Sequence, residues 1–325
     1  MSKPPFISVI IPTCFRNQLL AECVGSILRQ PYPAFEVIII DQAEGQELQT
    51  MLKESFQDDK RIRYFHVERA GAARARNIGI SHAAGSIVAF IDDDAVAGPA
   101  WLAGVSDACC SRDKIGLMAG RILPLWNSAR PEWYPAEREF LLGLYDIGSE
   151  RRELPQYDLP IGANMAGFRE VILAHGGFDE SLGPNHFRKR KMVTGEETIL
   201  GKRIRQSGYN LMYEPNAVVL HRISSYKLTR SFFLSRHFWE GVTVVEQMSL
   251  LNDLERTRWP HYRHHAREVC MALARFALPG FEARYSEPHP AIRMLALSRV
   301  AYSFGVLYGM KTLPHAPGKP EATCV

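Results

Sequence analysis

Three adjacent aspartates, Asp92, Asp93 and Asp94, follow the apolar run Ile87–Ile91. Neighbouring carboxylates repel one another, and a bound cation is the common reason a chain tolerates them. Magnesium and manganese favour carboxylate oxygens together with phosphate oxygens from a substrate. In extended backbone, residues 92 and 94 face one side and Asp93 the other. The plainer account is an acidic turn exposed to water. Glu196 and Glu197 follow Gly195 and precede the helical stripe Ile199, Leu200 and Ile204. A helix dipole favours acids at that position, and either carboxylate has the chemistry of a general base. His221 closes the run Ala217–Leu220 and is a ligand candidate only beside a metal already placed. Asp41 ends a second apolar run, where it serves either as a cap for the next helix or as an acceptor for a nucleobase N–H. The segment Gly71–Gly79 opens a helix with small residues. Small residues let a backbone approach a ligand, with Arg76 a candidate to meet a diphosphate at the helix start; the plainer account is an Ala-rich helix packed tightly on the sheet.

The elements that must position these residues alternate. Phe6–Ile11, Phe35–Ile40, Ile62–Val67 and Ile87–Ile91 read as strands, and the β-branched runs imply burial on both faces. Asn17–Arg29, Glu47–Phe56 and Ala72–Ala84 read as the intervening helices. This spacing predicts a parallel sheet with helices on both faces. Ligands bind such sheets outside the carboxyl ends of the strands, which is where Asp41 and Asp92–Asp94 fall. Leu123–Leu159 is rich in Pro, Trp, Tyr and charge and reads as irregular structure facing a substrate. Strand signals return at Asn164–Phe168 and Ala217–Leu220, around a helix at Glu197–Gln206. Beyond Ile223 the pattern is helical, with long stripes at Tyr262–Leu278 and Ile292–Met310 and a Pro-rich tail from Pro314.

Composition bounds the function. The chain has 325 residues, 46% hydrophobic and 23% charged, which is globular and argues against disorder. A net charge of +4 is too weak to imply nucleic acid. From Ile223 onward there are 13 Lys/Arg against 8 Asp/Glu, a net +5, so residues 1–222 carry −1. Six cysteines without CxxC spacing read as reduced thiols rather than a zinc or redox site. Neither a signal-peptide core nor a membrane-spanning run is expected.

In order and spacing, several of these signals together resemble the family 2 glycosyltransferases: Ile7–Thr13, Asp41, Ala75–Gly79 and Asp92–Asp94, then Gly162–Asn164, Gly176–Glu180, Gly195–Glu197 and Val219–His221. The resemblance spans residues 6–225. It implies an α/β GT-A fold, a Rossmann-like nucleotide-sugar-binding sheet with a mixed-sheet acceptor half, and a C-terminal helical extension. The implied boundaries are 1–222 for the catalytic domain (1–95 donor half, 96–222 acceptor half) and 223–325 for the helices. It further implies an inverting, metal-dependent transferase using Mn2+ or Mg2+ and a nucleotide-diphosphate sugar, UDP-linked in the first instance. Carried over, Pro12, Thr13, Asp41, Arg76, Asp92 and Asp93 bind the donor, and Asp94, Asp92 and His221 hold the metal. Glu197 is the base with Glu196 as the second choice, and Gly162, Ala163 and Asn164 face a saccharide or lipid-linked acceptor. Two departures stand out: Gly195-Glu196-Glu197 replaces the family's Gly-Glu-Asp, and Gln42-Ala43 follows Asp41 where Asn-Gly or Asp-Gly is common. The alternatives are a silent nucleotide-sugar-binding subunit and a nucleotidyltransferase, the latter disfavoured because no Gly-rich loop follows the first strand. The implied location is cytoplasmic or peripheral at the inner membrane face. Arg263, Arg267, Arg275, Arg284, Arg293 and Arg299 lie beside apolar stripes that would meet lipid, a second copy or a core, and the basic run Arg188–Lys191 precedes the candidate base.

Overall fold

A computed structural model of the chain describes residues 3–57, 59–69, 71–111, 114–184, 192–251, 261–271 and 290–312. The run Arg188–Lys191, Arg275, Arg284, the end of the Tyr262–Leu278 stripe and the tail from Pro314 lie outside these residues. The chain divides into two compact units, one of residues 1–130 with 136–228 and one of residues 131–135 with 229–325.

The first unit is built on a single mixed sheet. Strands β1 (Ile7–Thr13), β2 (Phe35–Asp41), β3 (Ile62–His66) and β4 (Ile87–Ile91) alternate with helices α1 (Asn17–Leu28), α2 (Glu47–Phe56) and α3 (Ala72–His82). Then come β5 (Ala95–Ala97), α4 (Trp101–Cys109), β6 (Ile115–Trp126), β7 (Arg152–Glu153), β8 (Asn164–Phe168), α5 (Arg169–Ala174), α6 (Glu196–Gln206) and β9 (Asn210–Ile223). The strand order is β3-β2-β1-β4-β8-β6-β9-β5, with β7 paired to β9. β1 to β4 are mutually parallel where they pair. β8 enters antiparallel between β4 and β6, which makes the sheet mixed.

Alternation along the inner strands divides the core in two. Val9 and Ile11 pack with Leu20, Val24, Leu48 and Trp101 on one face. Ile10, Ile38 and Phe90 pack with Ile80, Ile172 and Leu200 on the other. Burial on both faces is why β1 and β2 read as unbroken apolar runs. Parallel register then aligns the carboxyl ends, and Thr13 sits opposite Asp41.

The second half departs from the simple reading. Residues 123–126, expected to be irregular, finish the 12-residue strand β6. β9 runs 14 residues and takes in Asn210–Asn216 as well as the expected Ala217–Leu220. Both strands hide from pattern reading for one reason. Their shared ladder shifts register at Gly120/Arg121, opposite the Glu214-Pro215-Asn216 segment of β9, and a bulge breaks the period-2 pattern there.

In the second unit, α7 (Arg230–Leu250) starts at Thr229, whose hydroxyl accepts from Phe232 N at 3.3 Å. Helix α8 spans residues 261–271 and α9 is Pro290–Thr312. α7 and α9 pack so closely that a Cβ at Gly305 would overlap the Phe238 carbonyl, and one at Gly241 would overlap the Tyr302 carbonyl. Among the described residues no helix is long and apolar enough to cross a membrane. Gly305→Val is expected to pry this pair apart. Hydrogen exchange should accelerate on the order of tenfold or more in α7 and α9 while β1–β4 amides keep their protection.

Candidate active site

β4 delivers the acidic triplet to the carboxyl edge of the sheet. The chain turns there instead of staying extended, with Ala95 N donating to Asp92 O at 3.1 Å. The three carboxylates are therefore aimed separately. Asp93 is buried, and its oxygens are taken by Thr13 Oγ1 at 2.7 Å and Arg16 Nη1 at 2.9 Å. The same Arg16 nitrogen donates to Asp94 Oδ2 at 2.8 Å. Asp94 Oδ1 lies 3.2 Å from His221 Nε2. Asp92 is the more open of the three, and its Oδ1 accepts from Arg76 Nη2 at 3.2 Å.

One ligand atom each from Asp92, Asp94 and His221 lies within 4.8 Å of the other two. His221 Nδ1 is enclosed and makes no hydrogen bond, and the enclosed Asp94 Oδ1 meets only the His221 ring. Two carboxylates and an imidazole, with buried lone pairs unspent, suit a borderline divalent cation such as Mn2+. Sequence spacing places Asp92 and Asp94 together; β9, antiparallel to β5 with His221 opposite Ala95, brings the histidine beside them.

Arg76 ties this edge to the other half of the fold. It is 4% exposed, donates from Nη1 to Glu196 Oε1 at 2.5 Å, and lies with its guanidinium carbon 5.6 Å from the Phe178 ring centroid. Gly162 lies directly beneath it, since a Cβ there would come 2.6 Å from Arg76 Nη2. The next residue on α3, Asn77, donates from Nδ2 to Phe178 O at 2.9 Å and accepts at Oδ1 from Phe178 N at 2.9 Å. The Ala75–Gly79 and Gly176–Glu180 segments thus meet, and α6 closes over them with Glu196 and Glu197. Glu196 is 2% exposed and spends one oxygen on Arg76. Glu197 is partly buried and keeps an enclosed Oε2 with no hydrogen-bond partner.

The other expected residues have distinct surroundings. Asp41 is 1% exposed; Oδ1 accepts from Ala43 N at 2.9 Å and Oδ2 from Tyr64 OH at 2.8 Å. It does not cap α2, which begins six residues later, at Glu47 behind Gln46. Gln42 accepts from Gly71 N at 2.7 Å and so holds the start of α3. Pro12 is partly buried near the end of β1, and Ala163 is buried before β8. Asn164 is fully enclosed: Oδ1 accepts from Trp101 Nε1 at 2.8 Å, while Nδ2 donates to Arg121 O at 3.0 Å and Ala217 O at 2.7 Å. Arg16 and Tyr64 were not singled out in the sequence. The available signal for Arg16 was a lone cation three residues past the end of β1.

Burial and charge set the protonation states. Burial pushes the Asp93 carboxyl up to about 6, against the Arg16 charge. Burial also acts to raise Asp94, but the His221 ring, Lys227 and Arg16 hold it well below the ordinary range. Burial opposes the charge on Arg76, and Glu196, Asp92 and Glu197 overcome it, leaving its pKa raised. Burial and the neighbouring Glu196 raise Glu197 well above an ordinary carboxylate, with Arg76 pulling the other way.

This mixed sheet, with its acidic edge and flanking helices, is a GT-A fold. The profile of Glycosyl transferase family 2 matches residues 8–175, and the chain belongs to that family. A glucosyl-dolichyl phosphate glucuronosyltransferase of Haloferax volcanii is 27% identical over 238 residues, covering 72% of this chain and 75% of the relative. An uncharacterized glycosyltransferase of Rickettsia felis is 42% identical over 88 residues, covering 27% of this chain and only 14% of the relative. Among solved structures, the mannosyltransferase PcManGT of Pyrobaculum calidifontis, in complex with GDP-Man and Mn2+, superposes with a TM-score of 0.64 at 16% identity. That match covers 94% of this chain and 88% of the other.

The raised Asp93 has a consequence for stability. The fold favours its protonated form, so the stability this group leaves intact below its ordinary 3.8 is lost as pH climbs towards about 6. Urea unfolding of metal-free protein is expected to show that loss, about 1–3 kcal/mol from this group. Asp93→Asn should flatten the difference across the same window.

Proposed function

We propose that the chain is a metal-dependent, inverting glycosyltransferase. It moves a sugar from a nucleoside-diphosphate sugar, UDP-linked in the first instance, to a hydroxyl of a saccharide or lipid-linked saccharide used in cell-surface polysaccharide. Residues 1–222 form its catalytic domain and residues 223–325 its helical extension. The observation that carries this reading is the convergence of Asp92, Asp94 and His221, joined through Arg76 to Glu196 and the adjoining Glu197. The Haloferax relative, named for a lipid-linked glucosyl substrate, supports the acceptor class. The GDP-Man and Mn2+ in the Pyrobaculum structure support the donor class and the cation.

Asp41 accepts an N–H from the base with lone pairs that Ala43 and Tyr64 leave unused. Thr13 and Pro12 border the same strand ends. Asp92, Asp94 and His221 hold the cation, which when bound neutralises charge on the leaving diphosphate. Arg76, kept charged by its buried acids, adds a fixed positive charge on that side. Arg16 and Asp93 orient Asp94 and stand behind the donor. Gly162 and Ala163 leave room under Arg76, and Asn164 locks β8 to its neighbours, so this segment supports the acceptor side as a floor.

Glu197 takes the proton of the attacking hydroxyl. Glu196 is less suited because its charge is already committed to Arg76. The raised pKa of Glu197 brings its basicity closer to what proton abstraction requires. With one carboxylate acting as base and none as nucleophile, the hydroxyl displaces the diphosphate directly and the anomeric configuration inverts.

Manganese-dependent hydrolysis or transfer across a panel of nucleotide sugars tests the reading. Glu197→Gln should keep donor affinity within about twofold and lower turnover on the order of 100- to 10,000-fold, with Glu196→Gln milder. The reverse order would move the base to Glu196. Asp94→Ala should abolish metal-dependent donor binding and leave the fold intact; undiminished transfer by that variant would remove the metal from the proposal.

A further inference from the structure

We infer that Phe15 is a stacking platform for the nucleobase of the donor, a role that rests on the nucleoside-diphosphate sugar proposed above. Three residues, Cys14, Phe15 and Arg16, carry the chain from β1 to α1. Both flanks of this link are pinned. Thr13 donates from Oγ1 to Asp93 and accepts at its carbonyl from Gln42 N at 3.1 Å, while Arg16 reaches Asp93 and Asp94. Phe15 crosses the gap with a φ of 59°, in the left-handed region. Among the described residues Gln57 is the one other non-glycine with positive φ, and it closes α2, where that conformation is routine. Phe15 closes no helix. The short link accounts for the backbone but not for the side chain. A bulky residue is strained there, whereas glycine or asparagine adopts the conformation readily.

Packing offers little in return for that strain. Phe15 is 62% exposed, although Thr13, Asp41 and Asp93 around it are almost wholly buried. Among the described residues its ring has no aromatic or cationic partner. A strained backbone that holds a large apolar ring in water, at the carboxyl edge of the sheet, points to a ligand contact.

Position selects the base as that ligand. Thr13 stands opposite Asp41 in the β1–β2 register. Paired strands lie about 5 Å apart and Phe15 is two Cα steps past Thr13, so Phe15 lies within about 13 Å of Asp41. Burial and then the charges of Asp41 and Asp93 push the Cys14 thiol up, so the link borders both the base acceptor and the acidic edge. Asp41, fixed by Ala43 N and Tyr64 OH, meets only the edge of a base. An aromatic ring supplies the complementary contact to the flat face, which every base offers. Asp41 thus reads the identity of the base, and Phe15 adds affinity that is indifferent to it.

The test is titration calorimetry with manganese present, using UDP, GDP and inorganic pyrophosphate, the last of which has no base. Phe15→Ala should weaken whichever nucleotides bind on the order of tenfold and leave pyrophosphate within about twofold. Phe15→Tyr should preserve all of these affinities. Phe15→Asn suits the left-handed backbone, so it should weaken the nucleotides as alanine does while raising the urea midpoint. Unchanged nucleotide affinity in Phe15→Ala would overturn the proposal, and a raised KM for the acceptor beside it would assign the ring to the acceptor instead. An equal loss of pyrophosphate binding would also overturn it, because the ring would then serve the shape of the acidic edge. So would a lowered urea midpoint in Phe15→Asn, which would make Phe15 a packing residue. Should the unaltered chain bind pyrophosphate but neither nucleotide, the base platform falls while the metal edge stands. Should it bind none of the three, the nucleotide-sugar donor falls as well.

Discussion

The buried guanidinium of Arg76 is the constraint on which the site depends. A charge taken out of water costs several kcal/mol unless it is paired with good geometry, and removing one partner of a buried pair is worth roughly 3–5 kcal/mol of destabilisation. Arg76 is compensated only when α3 supplies it, the turn after β4 brings Asp92 and the first turn of α6 brings Glu196. These elements are far apart in the chain, Arg76 and Glu196 being 120 residues apart. The ion pair therefore couples assembly of the donor-side edge to placement of the candidate base, and the missing side chain at residue 162 gives the guanidinium its space.

Around that pair the fold leaves polar valences open. Arg76 Nε, Glu196 Oε2, Glu197 Oε2 and His221 Nδ1 are all enclosed without a hydrogen bond. An unmet buried polar group costs about 1–3 kcal/mol, so their concentration at the carboxyl edge of one sheet is a standing cost at a functional place. The neighbouring polar groups behave differently. Asp93 and Asn164 have their side-chain atoms satisfied within the protein. The site thus separates groups that hold its shape from groups left open to a ligand.

How much of this was legible in the sequence follows from the range of each interaction. The strands β1, β2, β4 and β8 and the helices α1, α3 and α6 were readable, because burial on both faces or on one stripe leaves a local pattern. Asp92, Asp94 and His221 were readable as an ordered set of motif positions. The bulged pairing of β6 with β9 was hidden, because Gly120 and the Glu214-Pro215-Asn216 segment interrupt the alternation that pairing would otherwise write into the chain. What each motif residue touches was hidden too. No local rule joins Arg16 to Asp93 and Asp94, 77 and 78 residues away, or Tyr64 to Asp41. The first turn of α6 shows the same limit: two adjacent glutamates look alike as text, and only the ion pair to Arg76 distinguishes them.

The central claim is direct displacement at the sugar, with Glu197 as base and no covalent intermediate on the chain. The most direct measurement is the anomeric configuration of the first-formed sugar, followed by proton NMR as the enzyme turns over an α-linked nucleotide sugar with manganese, before mutarotation. The account requires the β-anomer to appear first. Initial formation of the α-anomer would contradict it, because a single displacement from the opposite face cannot retain the configuration.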